Sequence, residues 1–260
     1  AVKKRKEDQT QVSAALFTPP APQKSVSNPT RIVDIAFNVM YVDFSHASAG
    51  DGRKIWNHID ELRMKPEQVR LLSRNGLRVG AASPASWAAI QAVLDSSDAK
   101  ITSDQLFPQR GFALPIHAGA VDEGTSIFCY QADGRLIGKS FPGGEKTIMI
   151  DYAVRPELDG STELGISFEI NRESADMVWQ QVDGVMRQAP ERDHHRFDDL
   201  STFLTLQQGE FLVLGPRDDI RNDSLVGTQF LSSPTGPGSI RLIFLAPIPY
   251  QTQTVARPPS

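Results

Sequence analysis

Residues 147–170 read TIMIDYAVRPELDGSTELGISFEI, and no other stretch limits the fold of this chain as much. Ile148, Ile150, Tyr152 and Val154 occupy every second position before a break, and Leu164, Ile166, Phe168 and Ile170 do so after it. A period of two puts alternate side chains on opposite faces of an extended backbone, so each run predicts a strand with one buried face. Pro156, Asp159 and Gly160 stand between the runs and are turn-forming types. The expectation is a β-hairpin with one apolar face and one face carrying Glu163, Ser167 and Glu169.

Further strand signals surround this hairpin. Residues 112–116, 126–130 and 135–138 read as short strands, and Asp133-Gly134 between two of them is a tight-hairpin signature. Pro142-Gly143-Gly144 and Asp122-Glu123-Gly124 read as turns. Residues 175–197 carry mixed signals. Met177, Val178, Gln181, Val182 and Val185 have helical spacing, whereas Asp183-Gly184 predicts a hairpin, and extended structure is the preferred reading. Residues 201–206 and 210–215 read as a second hairpin around Gln207-Gln208-Gly209, with Pro216 stopping it. Residues 239–246 form a nearly continuous apolar run that suits a buried strand.

The preceding residues have a different texture. Residues 31–45 are rich in β-branched and aromatic types and predict a strand, which Gly50-Asp51-Gly52 is expected to break. Ile55, Ile59 and Leu62 then fall at helical spacing beside Trp56. Pro66-Glu67 opens a helix that Asn75-Gly76 closes, residues 77–81 form a short strand, and Ser83-Pro84 opens another helix. Residues 100–110 read as a loop between domains. The fold class is therefore α+β. The expected organisation is a tail at 1–30, a small α+β domain at 31–105, a β-rich domain at 106–250 and a second tail at 251–260.

The first tail opens with Lys3, Lys4, Arg5 and Lys6, and Pro19, Pro20, Pro22 and Pro29 follow. Such a segment has too little apolar surface to fold alone, so it reads as a tether. Its basic cluster reads first as a solvated charged end, with anionic headgroups as the alternative, and Phe17 is the natural anchor for docking the tail as a strand on a neighbouring subunit. The start at Ala1, without Met, suits a processed secretory chain and equally a trimmed or partial one.

Chemistry is hard to place anywhere. No Walker A, Rossmann, G-x-S-x-G or H-E-x-x-H pattern is present. Asp193, His194, His195, Asp198 and Asp199 form the densest polar cluster, but adjacent side chains of an extended chain point apart, which does not suit joint ligation of one ion. His46 and His58, with Asp60 and Glu61, read as surface residues. Cys129 lies in an apolar run and reads as a small core residue. The sequence assigns no catalytic residue, no metal ligand and no cofactor. A net charge of −4 gives no reason to expect a nucleic-acid partner. No run of about 18 apolar residues marks a membrane helix, a test that membrane β-strands escape.

The central hairpin resembles one found in secretins, the ring-forming pores of bacterial outer membranes. The likeness rests on Val154-x-Pro156, Asp159-Gly160 and Leu164-x-Ile166-x-x-Glu169-Ile170, set against that family's V-x-P, D-G and L-x-I. Further along, Thr202-x-x-Thr205-x-x-x-Gly209-Glu210-Phe211-Leu212-Val213-Leu214-Gly215 resembles its T-x-V-x-V-x-D-G-Q-T-V-V-L-G-G-L run. Leu225-x-Gly227-x-x-Phe230 is similar to L-G-x-L-F, and RLIFLAP at 241–247, with Leu245 and Pro247, to the closing L-x-I-x-L-T-P strand. The matches run in order across residues 110–250.

The resemblance implies a structural subunit whose strands pair with those of neighbouring copies to close a large barrel in the bacterial envelope, as a passage for macromolecules or a collar around one. It implies partners that are further copies of the chain, other envelope proteins and membrane. The departures imply a minimal, crater-like ring. Pro216 stands where a second glycine is expected, the P-x-L-G-D-I-P stretch shrinks to 218–225, and the region before Thr147 is short for a central gate. No aromatic-flanked apolar band marks a lipid-facing hairpin. A rival expectation from the same local signals is an envelope binding or scaffold protein with a β-sandwich domain.

Overall fold

A computed structural model of the chain describes residues 32–109, 111–155, 160–182, 185–217, 222–233, 236 and 238–252. The first half runs β1 (Ile32–Phe44), α1 (Ala49–Ile55), α2 (Pro66–Arg74), β2 (Leu77–Ala82), α3 (Trp87–Ser96) and β3 (Lys100–Leu106). The second half runs β4 (Leu114–Tyr130), β5 (Leu136–Arg155), β6 (Ser161–Val182), β7 (Val185–Arg196), β8 (Thr202–Leu206), β9 (Phe211–Pro216), α4 (Val226–Leu231) and β10 (Ile240–Thr252). The fold is mixed α+β with antiparallel sheets, and neither sheet closes into a barrel within one chain.

Two sheets organise these elements. The first has the order β2-β9-β10-β1-β3, and the second β4-β5-β6-β7 with β8 also paired to β6. The last strands of the chain thus return to the sheet built by its first strands. β1 and β10 pair along their whole length, from Ile32 opposite Thr252 to Phe44 opposite Ile240. Buried Asp43 accepts two hydrogen bonds from Arg241, at 2.7 and 2.9 Å, directly across that pair.

The first sheet is the middle of three layers. Ile35, Phe37 and Val39 of β1, Leu212 and Leu214 of β9, and Ile243 and Leu245 of β10 face the second sheet. The alternate residues Met40, Val42, Phe44, Phe211, Val213, Leu242 and Phe244 face α1 and α3, meeting Ile55, Ile90 and Leu94. Strands covered on both sides read as unbroken apolar runs, as β9 and β10 do. Each fully buried side chain of this size contributes about 1.5–3 kcal/mol.

Several expectations change against this frame. Gly50 and Gly52 do not break structure but lie inside α1, because Gly52 leaves the room that Ile240 and Phe44 fill. Residues 100–106 are not a loop. They form edge strand β3, whose few apolar residues suit a strand paired to β1 alone. Pro142-Gly143-Gly144 and Asp122-Glu123-Gly124 are not turns but face each other inside the long β4–β5 pair, where the register shifts between Glu123 and Thr125. Gly124, Gly143 and Gly144 have positive φ, so the glycines bend a paired ribbon here and do not end it.

Candidate functional site: an open-edged sheet

The central hairpin forms as the alternation predicts. Ile148 stands opposite Phe168, Ile150 opposite Ile166 and Tyr152 opposite Leu164, with Val154 opposite Thr162 and half-buried at the outer end. Gly160 has φ +73, a left-handed conformation glycine adopts freely. Pro156 and Asp159 lie outside the described residues, as do Lys3, Lys4, Arg5, Lys6 and Phe17. The polar face is only partly wet. Ser167 and Glu169 are buried, with Glu169 Oε2 3.0 Å from His194 Nε2 and Arg196 also close.

The other residues of the secretin-like pattern sit in the core or at turns. Thr202 begins β8, buried, with Oγ1 donating to Met64 Sδ at 3.3 Å. Gly209 takes φ +84 in the turn before β9. Leu214 is buried between Val79 and Ile243. A Cβ at Gly215 would meet Leu242 and Trp56, and one at Gly227 would collide with the Gly76 carbonyl. Phe230 stacks edge-on against Phe168 and Phe197, at 5.5 and 6.0 Å. Leu245 and Pro247 lie buried on β10 opposite Val39 and Phe37.

One expected contact is not made. Residues 201–206 and 210–215 do not form a hairpin: β8 pairs with β6, while β9 pairs with β10 and β2. The chain crosses between sheets at Gln207–Gly209. The reason is burial: β8 has one dry face, whereas every residue of β9 is buried, and only the middle layer covers both faces.

The second sheet presents two long edges. Among the described residues, β4 is paired along its length to β5 alone and β7 to β6 alone, and they stand at opposite ends of the sheet. On β4, the described contacts at the outer edge are the bridge from Phe128 to Leu225 and the Asn75 side chain at Tyr130. Pro115 and Pro190 each remove one backbone donor from these strands; 116–126 of β4, which two register shifts bend, and 191–196 of β7 contain no proline.

The two hairpins of this sheet behave differently. The tip of the β4–β5 hairpin is tied to the end of α2: the Asn75 side chain accepts from the Tyr130 N–H and donates to its carbonyl, and Arg74 lies over the Tyr130 ring at 4.4 Å. The β6–β7 hairpin runs on past the last β5 pairing at Asn171, as a two-stranded ribbon to Val182. Met177, Trp179 and Met186 are exposed along one face of it, Trp179 at 63%. Sequence reasoning favoured extended structure here, and the Asp183-Gly184 signal agrees with the observed strands. The turn residues themselves are outside the described set.

His194 and His195 lie in β7 and point to opposite faces. His194 meets Glu169 on the outer face, while His195 packs inward against Phe141 and Phe197 at ring distances of 5.3 and 4.8 Å. Burial, then Lys139 with its Nζ 3.2 Å from His195 Nδ1, lowers the His195 pKa from 6.5. Among the described residues, no group of three or more His, Cys, Asp or Glu side chains converges to hold a metal. Cys129 is buried, and desolvation pushes its thiol up to about 12, so it is a poor nucleophile. No described helix is long and apolar enough to cross a membrane, which leaves membrane β-strands untouched.

No family model matches the chain, and no curated protein matches it. Among solved structures it is similar to one described as the InvG secretin domain β-barrel from the Salmonella SPI-1 injectisome. Identity is 10%, the TM-score is 0.23, and the alignment covers 88% of this chain and 65% of that one.

Proposed function

We propose that the chain is a secretin-like structural subunit of a large homo-oligomeric ring in the bacterial cell envelope, acting by assembly and not by catalysis. The observation that carries this reading is the pair of long edges, β4 and β7, at opposite ends of one antiparallel sheet. Four strands separate up from down evenly, so β7 of one copy meets β4 of the next in antiparallel sense and the pattern continues without a break. An open strand edge is a template for further pairing, and a closed ring of copies removes the β4 and β7 edges of each. The contact is head-to-tail, which generates rings when the rotation closes. The ordered secretin-like motifs support the same reading, since their described residues form the core and turns of the scaffold that holds these edges. The ring's place is the outer membrane, or the cell surface or periplasm, and its role is a passage for macromolecules or a collar around one.

Cross-linking tests it. Thr125→Cys on β4 and Asp193→Cys on β7 are made singly and together in a Cys129→Ser background and treated with a short bis-maleimide. The head-to-tail contact predicts a ladder climbing beyond dimers only when both sites are present. Linking by either site alone would indicate a two-fold dimer and count against the ring.

A second reading has its own observation. The two sheets share a continuous apolar core within one chain, from Phe37 and Leu245 to Ile150 and Phe168. A sandwich so closed suits a non-pore envelope binding or scaffold module, which the same experiment favours if no ladder forms.

A further inference from the structure

Phe107 and Tyr250 form an edge-to-face pair with ring centroids 6.3 Å apart, yet they are 63% and 39% exposed. They stand at the end of the first sheet where β1 begins, for Tyr250 is opposite Asp34 and Ile32 opposite Thr252. β3 pairs with β1 only over residues 37–43. Among the described residues, residues 32–36 of β1 are therefore strand-paired to β10 alone. A further apolar segment laid over the two rings would take their surface out of water.

We propose that residues 17–22 of the same copy, Phe17-Thr18-Pro19-Pro20-Ala21-Pro22, dock across Phe107 and Tyr250. Three features select this occupant. Proline-rich chain is pre-set for the extended left-handed conformation that aromatic surfaces bind, so its ordering costs little. Asn28-Pro29, just before β1, is a dipeptide of turn-forming type. The nine residues 23–31 span up to about 30 Å when extended, whereas Asp34, opposite Tyr250, lies only about 7 Å along the strand from Ile32. The surface is built within one chain and does not depend on the ring.

The test uses the full chain and changes only the tail. Hydroxyl-radical footprinting compares it with the variant Phe17→Ser, Pro19→Ser, Pro20→Ser, Pro22→Ser. Oxidation of Phe107 and Tyr250 is expected to rise about three-fold or more, with Phe203, exposed on β8, unchanged as the control. In the reverse arm, Phe107→Ser should speed tryptic cleavage after Lys24 about ten-fold while cleavage after Lys6 stays the same. Equal oxidation in the two proteins, or equal cleavage after Lys24, would overturn the proposal. Protection that disappears on dilution would overturn its same-copy form.

Discussion

Arg63 holds Glu210 across 147 positions of sequence, with Nη1 2.7 Å from Oε2 and Nη2 2.6 Å from Oε1. The same carboxylate accepts the Gln207 N–H at 2.7 Å. This two-pronged grip fixes the corner at which the chain leaves the second sheet for the first, and the hydrogen bonds lift the Arg63 pKa further above its ordinary value. Arg63→Ala leaves a nearly buried carboxylate without its cation. It is expected to cost about 1–3 kcal/mol in urea unfolding, with Arg63→Lys recovering only part of that because it cannot bind with two prongs.

Helix α4 touches the α2–β2 turn without any gap. The Gly227 N–H donates to the Asn75 carbonyl at 2.8 Å, and a Cβ at Gly227 would fall 2.1 Å from the Gly76 oxygen. Gly227→Ala should therefore force α4 away from the core that Phe230 fills and cost about 2 kcal/mol or more. Gly50, in α1, has nothing within 4 Å of such a Cβ, so Gly50→Ala should be neutral or stabilise by up to about 1 kcal/mol. Thermal melts of the pair distinguish collision from a general sensitivity of glycines.

His195 gives stability a pH dependence with a definite sign. Burial and Lys139 hold its folded pKa below 6.5, while the unfolded chain protonates it normally. Unfolded chain thus binds more protons between the two values, so stability is complete above about pH 6.5 and falls as pH drops toward the folded pKa. His195→Phe, stacked on the same Phe141 and Phe197 rings, should flatten that part of the pH–stability curve. An unchanged slope would place the titration elsewhere.

Trp179 is exposed on the two-stranded ribbon that β6 and β7 form beyond Asn171. Because it is exposed on the projecting ribbon, Trp179→Ser should change unfolding free energy by no more than about 0.5 kcal/mol. A larger loss, measured on the unassembled chain, would mean that the ribbon face is covered within one copy.

Strict alternation made the β5–β6 pair legible, because residues such as Ile150 and Ile166 meet one core face and leave one polar face. The α2 boundaries were equally legible, since Pro66 and Gly76 act locally. Less visible was the membership of β9 and β10 in the first sheet. Their runs of Phe211–Leu214 and Leu242–Ala246 announce burial on both faces without naming which strands lie beside them. β3 was missed because an edge strand with one neighbour needs few apolar residues, and Lys100, Ser103 and Asp104 look like a loop. The open edges that define the candidate site have no sequence signature of their own. They emerge only once pairing shows which strands keep one side free.

The central claim is that β7 of one copy pairs with β4 of the next until the ring closes. Its most direct test is the particle mass of the full chain, extracted gently from membranes, by light scattering with electron microscopy beside it. Closed rings of many copies, with mass independent of dilution, are the predicted result. A monodisperse species of one or two copies, with and without detergent, would contradict the ring and leave the sandwich-type binding module in its place.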